Sequence, residues 1–169
     1  MEITKNENGV LFIEGATLIF KNFAGRPGKF NAAGERSFNV VIDDPEVAQQ
    51  MRNDGWNVKI KPPREEGDGM FCYLPVSVVF PTPDRNFPIK IVQFTKNGPV
   101  NLNEETVGLL DMARITSAKI AIRPYHWTTA TGSGIKAYLR TLHVVLEEED
   151  FAADFDAFNN MDDDMPFNE

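Results

Sequence analysis

Residues 116–146 read TSAKIAIRPYHWTTATGSGIKAYLRTLHVVL, a stretch that predicts two long strands joined by a glycine-rich turn. Side chains alternate between the two faces of a strand, and Ile120 and Ile122 mark the core face of the first strand. Basic and aromatic residues recur on the opposite face of both strands: Lys119, Arg123, Tyr125, Trp127, Lys136, Tyr138 and Arg140. The apolar positions change face after Arg140, so a β-bulge is expected near Thr141. We therefore expect a hairpin with one apolar face and one cationic, aromatic face.

The cationic, aromatic face has the chemistry that single-stranded nucleic acid requires. Lys and Arg neutralise its phosphates, and unpaired bases stack on flat rings with about 1–3 kcal/mol for each stacked base. A single ring of this kind is better explained as an aromatic residue at the edge of the core. Its repetition in both strands favours nucleic-acid binding instead.

The remaining body has the pattern of a mainly β domain. Apolar residues alternate in five other segments, which are predicted strands: 10–23, 37–42, 56–61, 70–80 and 89–96. Asp44 and Pro45 begin a short helix that Gly55 ends, and a second short helix begins at Asn103. Because repeated βα units are missing from this pattern, we expect a small antiparallel β-barrel like the OB fold over residues 1–146.

Other candidate contacts lie outside the hairpin. The stretch AGRPGKFNAAGE at residues 24–35 is interpreted as a mobile basic loop that closes over a bound strand, although an ordinary solvated loop explains it equally well. Phe71 and Tyr73 fall opposite the apolar residues of their strand, where base stacking and burial under a loop are alternative explanations. The loop and the predicted strands contribute these candidates: Arg26, Lys29, Phe30, Lys59, Lys61, Phe71, Tyr73, Lys90, Phe94 and Lys96.

Charge divides the chain into a body and a tail. The formal net charge is −8, but residues 147–169 hold ten of the 25 acidic residues and none of the 17 basic ones. Residues 1–146 therefore carry 17 bases against 15 acids, so the position of the cations matters more than their number. An acidic tail of this kind buries too little apolar surface to order itself, and we expect it to be disordered when unbound.

Composition argues against several other classes of protein. A run of about 18 apolar residues that could span a membrane is missing, and the polar residues 1–8 do not resemble a signal peptide, so a cytoplasmic location is expected. Cys72 is the single cysteine, which excludes an intramolecular disulfide and a cysteine zinc site. The acidic run at residues 162–164 lacks a second shell for a metal, and His126 and His143 lack catalytic partners. We expect no metal, no cofactor and no catalysis.

The end of the tail carries a resemblance to a known family. Asp162-Asp163-Asp164-Met165-Pro166-Phe167 resembles the acidic tip of bacterial single-stranded DNA-binding proteins, Asp-Asp-Asp-Ile-Pro-Phe, and phage single-stranded DNA-binding proteins similarly combine an OB-fold body with an acidic, Phe-bearing tail. The resemblance implies that Phe167 fills a hydrophobic pocket of a replication, recombination or repair protein, while the carboxylates meet basic residues. Asn168 and Glu169 follow the Phe here, whereas the Phe of the family carries the terminal carboxylate.

The residues and the resemblance together favour a phage protein that coats single-stranded DNA without sequence preference in replication and recombination. It would act in the host cytoplasm, as a monomer or a homodimer. The tail, as a tethered polyanion, is expected to compete with nucleic acid for the basic surface and to dock protein partners. The alternative is a phage adaptor or structural protein whose β-domain does not bind DNA. Quenching of Trp127 fluorescence by oligo-dT distinguishes the two hypotheses.

Overall fold

The computed structural model describes residues 1–147, which form one sheet, one α-helix and one 3₁₀ helix. The strands are β1 (Glu2–Lys5), β2 (Leu11–Glu14), β3 (Leu18–Asn22), β4 (Arg36–Val41), β5 (Lys59–Lys61), β6 (Phe71–Val78), β7 (Lys90–Thr95), β8 (Gly98–Leu102), β9 (Ile115–Thr129) and β10 (Gly132–Leu146). Helix α1 spans Pro45–Asp54 and the 3₁₀ helix spans Val107–Asp111. The prediction of a mainly β body with two short helices is confirmed.

The hairpin of β9 and β10 occupies the centre of the sheet. Strand β9 pairs with β2, and β10 pairs with both β6 and β7. The resulting order is β1-β2-β9-β10-β6-β4-β3, with β5, β7 and β8 off this path. The register of β10 shifts between Leu139 and Thr141, which leaves Arg140 as an extra residue. The bulge predicted near Thr141 is therefore confirmed.

The core lies on one face of the sheet and under α1. Phe23 and Phe38 stack with ring centroids 5.2 Å apart, and buried residues from β2, β4, β6, β9 and β10 join them in one apolar cluster. Ala48 and Met51 are the buried residues of α1, as their helical spacing predicts. Because strand side chains alternate, the opposite face of the sheet remains for polar and aromatic residues.

Several strand boundaries differ from the predicted ones, and β1 and β8 lie outside the predicted strand segments. Two of the differences occur at glycines. Gly15 has a φ of +67° and divides the predicted strand 10–23 into β2 and β3. The run Asn97-Gly98-Pro99, which reads as a strand end, instead leads into β8, and β8 returns antiparallel along β7. Both sites contain a glycine, Gly15 or Gly98. The residues around each glycine do not indicate whether the strand ends there or the chain turns directly into another strand.

The connectivity of the sheet also departs from a simple antiparallel barrel. Strand β10 runs parallel to β6 and to β7, and within residues 1–147 no ladder joins β1 to β3, so the sheet is open. Parallel strands are distant from each other in the chain and are not joined by a tight turn. The turn residues in the sequence therefore do not predict that they pair. None of the helices in the described part of the chain is long and apolar enough to cross a membrane.

Candidate nucleic-acid interface

Tyr138 is the centre of the cationic, aromatic face of the hairpin. The register places it opposite Arg123 and places Lys136 opposite Tyr125. The Arg123 Cζ lies 5.0 Å and the Lys136 Nζ 5.1 Å from the centroid of the Tyr138 ring, a separation at which cations are attracted to an aromatic ring. The Tyr125 ring meets Tyr138 edge-on, with centroids 6.0 Å apart. One ring is thus flanked by two cations and a second ring.

The loop between β6 and β7 completes this site with two residues that sequence reasoning missed. Phe87 covers Arg123, whose Cζ lies 3.9 Å from the centroid of the Phe87 ring. Arg123 is therefore held between Phe87 and Tyr138. Arg85, from the same loop, borders a cavity of about 240 Å³ together with both of these rings. The available signal was a cation and a ring two residues apart between prolines, which restrict the backbone of the loop.

Two further cavities extend this site along β10. The 240 Å³ cavity shares Arg85 and Tyr138 with a larger one of about 670 Å³. The larger cavity shares Ser77 and Lys136 with a third of about 380 Å³, which Trp127 also lines. We call this continuous surface the hairpin groove. Its cations and rings are Arg36, Arg85, Arg123, Lys136, Trp56, Phe80, Phe87, Tyr125, Trp127 and Tyr138.

Arg36 is the third groove residue that sequence reasoning missed. It begins β4, one position before the alternation that predicted this strand. Its Cζ lies 5.3 Å from the centroid of the Phe80 ring, and its Nη2 donates a long hydrogen bond of 3.5 Å to the carbonyl of Glu104. Two acidic residues, Glu35 and Glu104, line the same cavity, so the positive charge of the groove is not unopposed.

Trp127 is positioned by a glycine on the neighbouring strand. The register places it opposite Gly134, and a Cβ atom added at Gly134 would lie only 2.8 Å from the Trp127 Cζ2. The indole therefore rests directly against bare backbone. Because 39% of the Trp127 residue remains exposed, part of its surface is open to a ligand.

Lys59, Lys61, Phe71 and Tyr73 form a second cluster on β5 and β6. The register places Lys59 opposite Tyr73 and Lys61 opposite Phe71, and the centroids of the two rings lie 5.5 Å apart. Phe71 is exposed and Tyr73 is half-buried. Burial under a loop, the alternative explanation for these rings, therefore does not describe Phe71.

The loop at residues 24–35 borders the hairpin groove. Asn31 lines the 670 Å³ cavity, and its side-chain amide donates to the carbonyl of Arg26 at 2.8 Å. Phe30 is 92% exposed, and the Lys29 Nζ lies 5.6 Å from the centroid of its ring. The loop therefore has hydrogen bonds of its own, and its closure over a bound strand stays a prediction.

The remaining candidates lie at the bulge of β10 or beyond it. Lys90 and Phe94 are on β7, Lys96 follows its end, and the Phe94 ring contacts His143 with centroids 5.2 Å apart. Arg140 borders a cavity of about 320 Å³ whose lining residues differ from those of the hairpin groove. The tail candidates lie outside the described residues: Asp162, Asp163, Asp164, Met165, Pro166 and Phe167.

Comparisons with known proteins concern the family and the fold of the chain. The family model of the phage ssDNA-binding domain matches residues 2–167. The solved structure of the single-stranded DNA-binding protein from bacteriophage Enc34 is similar to this fold, with 10% sequence identity, a TM-score of 0.51, and coverage of 88% of this chain and 92% of that one. The same phage protein in complex with ssDNA gives 11% identity and a TM-score of 0.48 over 86% and 94% of the two chains. A search of curated protein sequences finds no match.

Proposed function

This chain belongs to the phage ssDNA-binding domain family, and on that premise we propose that the hairpin groove binds single-stranded DNA without regard to base sequence. The observation that carries the proposal is the position of Tyr138, a ring flanked by Arg123 and Lys136 on the groove surface. A base that stacks on this ring brings its own phosphates within reach of two cations. The protein coats strands exposed during phage replication or recombination in the host cytoplasm, and it catalyses no reaction.

The groove favours binding that is independent of sequence. Every base has a flat face, so stacking on Tyr125, Trp127 or Tyr138 tolerates any of the four. Arg123 is already held between Phe87 and Tyr138, so it loses little side-chain freedom when it meets a phosphate. The contacts with Phe87 and Tyr138 also keep the positive charge of Arg123 on the surface that lines the groove.

A fluorescence titration with oligo-dT, oligo-U and duplex DNA at two salt concentrations tests the proposal. Trp127 is 39% exposed whereas Trp56 is 5% exposed, so quenching by oligo-dT should disappear in a Trp127→Phe variant. Tyr138→Ala is expected to weaken oligo-dT binding about five-fold or more, because one stacked base contributes roughly 1–3 kcal/mol. Met112→Ala removes a side chain that is exposed away from the groove, and its affinity should match that of the original protein.

The rival hypothesis predicts a different outcome for the same titration. A phage adaptor or structural protein would show no quenching of tryptophan fluorescence and no binding of oligo-dT even at low salt, where phosphate contacts are strongest. Equal affinity for duplex DNA and oligo-dT would also contradict the proposal, since stacked pairs in a duplex do not present their faces to Tyr138.

We also propose that the tail tunes binding by this groove and docks protein partners. Its residues from 148 onward lie outside the described part of the chain, and support comes from the sequence. Acidic residues tethered to the body compete with phosphates for the same cations. The run from Asp162 to Phe167 combines carboxylates with an apolar side chain, which suits a partner that has a basic rim around an apolar pocket.

A further inference from the structure

Phe20 breaks the alternation of its own strand. Leu18 packs against the core, so a regular strand would turn Phe20 inward as well. The register of β3 against β4 shifts between Ile19 and Asn22, which inserts one extra residue there. Phe20 consequently has a φ of +49°, and it is 71% exposed.

This arrangement of Phe20 is unfavourable for folding in two ways. A positive φ is strained for a bulky residue, and a large apolar ring that could be buried is left in water. Bulges often turn a side chain toward a functional site, and backbone strain of this kind concentrates at such sites. The exposed ring of Phe20 therefore points to a role on the surface.

The bulge carries Phe20 to the second cluster of cations and rings. Its ring meets Tyr73 edge-on with centroids 6.2 Å apart, and Tyr73 in turn lies 5.5 Å from Phe71. The three rings form a row, which we call the aromatic row, and Lys59 and Lys61 lie beside it on β5. We propose that the aromatic row is a second stacking segment for the same single strand of DNA, and that the strained bulge in β3 exists to complete it.

The outward face of β6 connects the aromatic row to the hairpin groove. Phe71, Tyr73, Pro75 and Ser77 share that face, because the buried residues of β6 alternate with them. Ser77 pairs with Tyr138 and lines the groove, and Pro75 lines the part of the groove near Trp127. Ser77 lies six positions along the strand from Phe71, roughly 20 Å at 3.3 Å for each position. A strand of DNA that leaves the groove over Ser77 can therefore continue to the row.

Phe20→Gly separates this role from a structural one. Glycine adopts a φ of +49° without strain, so the thermal midpoint of unfolding should stay the same or rise. Affinity for oligo-dT of about 16 nucleotides should fall about five-fold or more, while an oligomer of about 5 nucleotides, near the lower limit for an OB fold, should bind the hairpin groove unchanged. Quenching of Trp127 reports occupancy of the groove by the short oligomer.

The proposal rests on the function assigned to the hairpin groove, and the two can fail separately. If Phe20→Gly binds both oligomers like the original protein while Tyr138→Ala weakens both, the aromatic row is not a binding segment but the groove is. If Phe20→Gly weakens both oligomers equally, or lowers the thermal midpoint, Phe20 acts through the fold and the proposal is overturned. Absence of any binding by the unaltered protein would overturn the function of the groove itself.

A charge variant gives an independent measurement. The double substitution Lys59→Gln and Lys61→Gln removes the two cations beside the aromatic row, and each lost phosphate contact should reduce the slope of log K against log salt by about 0.7 for a single strand. We expect a reduction of about 1.4 for the long oligomer and none for the short one. An equal slope for the original and the double variant on the long oligomer would contradict the proposal.

Discussion

At the scale of single residues, Gly134 decides where the exposed indole lies. A Cβ atom at this position would lie 2.8 Å from the Trp127 ring, whereas one at Gly132 would meet nothing within 4 Å. Gly134→Ala is therefore expected to displace the indole, to shift tryptophan emission and to weaken oligo-dT binding about five-fold or more through loss of one stacking surface. Gly132→Ala is the matched control in the same turn. Unchanged emission and affinity in Gly134→Ala would show that Trp127 does not depend on this contact.

The buried thiol of Cys72 gives stability a pH dependence. Burial raises the pKa of Cys72 above its usual range, so the folded state holds the thiol proton more tightly than the unfolded state does. This contribution to stability is fully present below about pH 8.5, the usual pKa of a free thiol, and is lost as pH rises through the raised folded pKa. The free energy of unfolding measured in urea should therefore fall more steeply with pH above about pH 8.5 in the original protein than in Cys72→Ala. Parallel curves for the two proteins would contradict this assignment.

At the scale of secondary-structure elements, a backbone hydrogen bond joins the end of α1 to the beginning of β10. The Ile135 backbone N–H donates to the carbonyl of Gly55 at 2.8 Å, and Gly55 has a φ of +113°. A Cβ atom there would lie 3.3 Å from the Ile135 Cγ1. Gly55→Ala is expected to lower the free energy of unfolding by about 1–3 kcal/mol, measured by urea denaturation. Gly69→Ala, whose Cβ meets nothing within 4 Å, should change it little, and equal effects of the two substitutions would remove this explanation.

The elements that sequence reasoning predicted are those whose pattern is local. Alternation over residues 116–146 predicted β9, β10 and the bulge, and it placed Tyr138 and Arg123 on the same face of the hairpin. An Asp before Pro45 and a Gly after Asp54 predicted the limits of α1. Each of these features depends on residues that are close to one another in the sequence. The pattern of apolar, capping and glycine residues therefore predicts it directly.

The residues that sequence reasoning missed depend on contacts between distant segments. Phe87 reaches Arg123 because the loop after β6 folds onto β9. The parallel pairing of β6 with β10 has no signature in the alternation of either strand. The alternation of β3 predicts that Phe20 faces the core. A single extra residue in the strand turns its side chain to the opposite face. A period of two predicts the face of a side chain only while the register is unbroken.

At the scale of the whole molecule, charge is divided between a body that is nearly balanced and an acidic end. Glu147 still belongs to the body, since its backbone N–H donates to the carbonyl of Arg114 at 2.9 Å and its carboxylate lies 3.3 Å from the Arg114 Nη1. A shortened chain that ends at Glu147 keeps both contacts. Such a chain therefore tests the acidic segment without loosening the end of β10.

Removal of residues 148–169 is expected to tighten binding of oligo-dT, by roughly ten-fold at low salt and by little at high salt, since nine tethered acids no longer compete with phosphates. The affinity for duplex DNA should rise more than that for oligo-dT, because duplex DNA binds the groove through phosphates alone and has no stacking with which to displace the tail.

The full chain with Asn and Gln in place of those nine acids should behave like the shortened one. Substitution of the tail Phe residues by Ala should leave DNA affinity unchanged. Equal affinities of the full and shortened chains across a salt titration would limit the tail to contacts with other proteins.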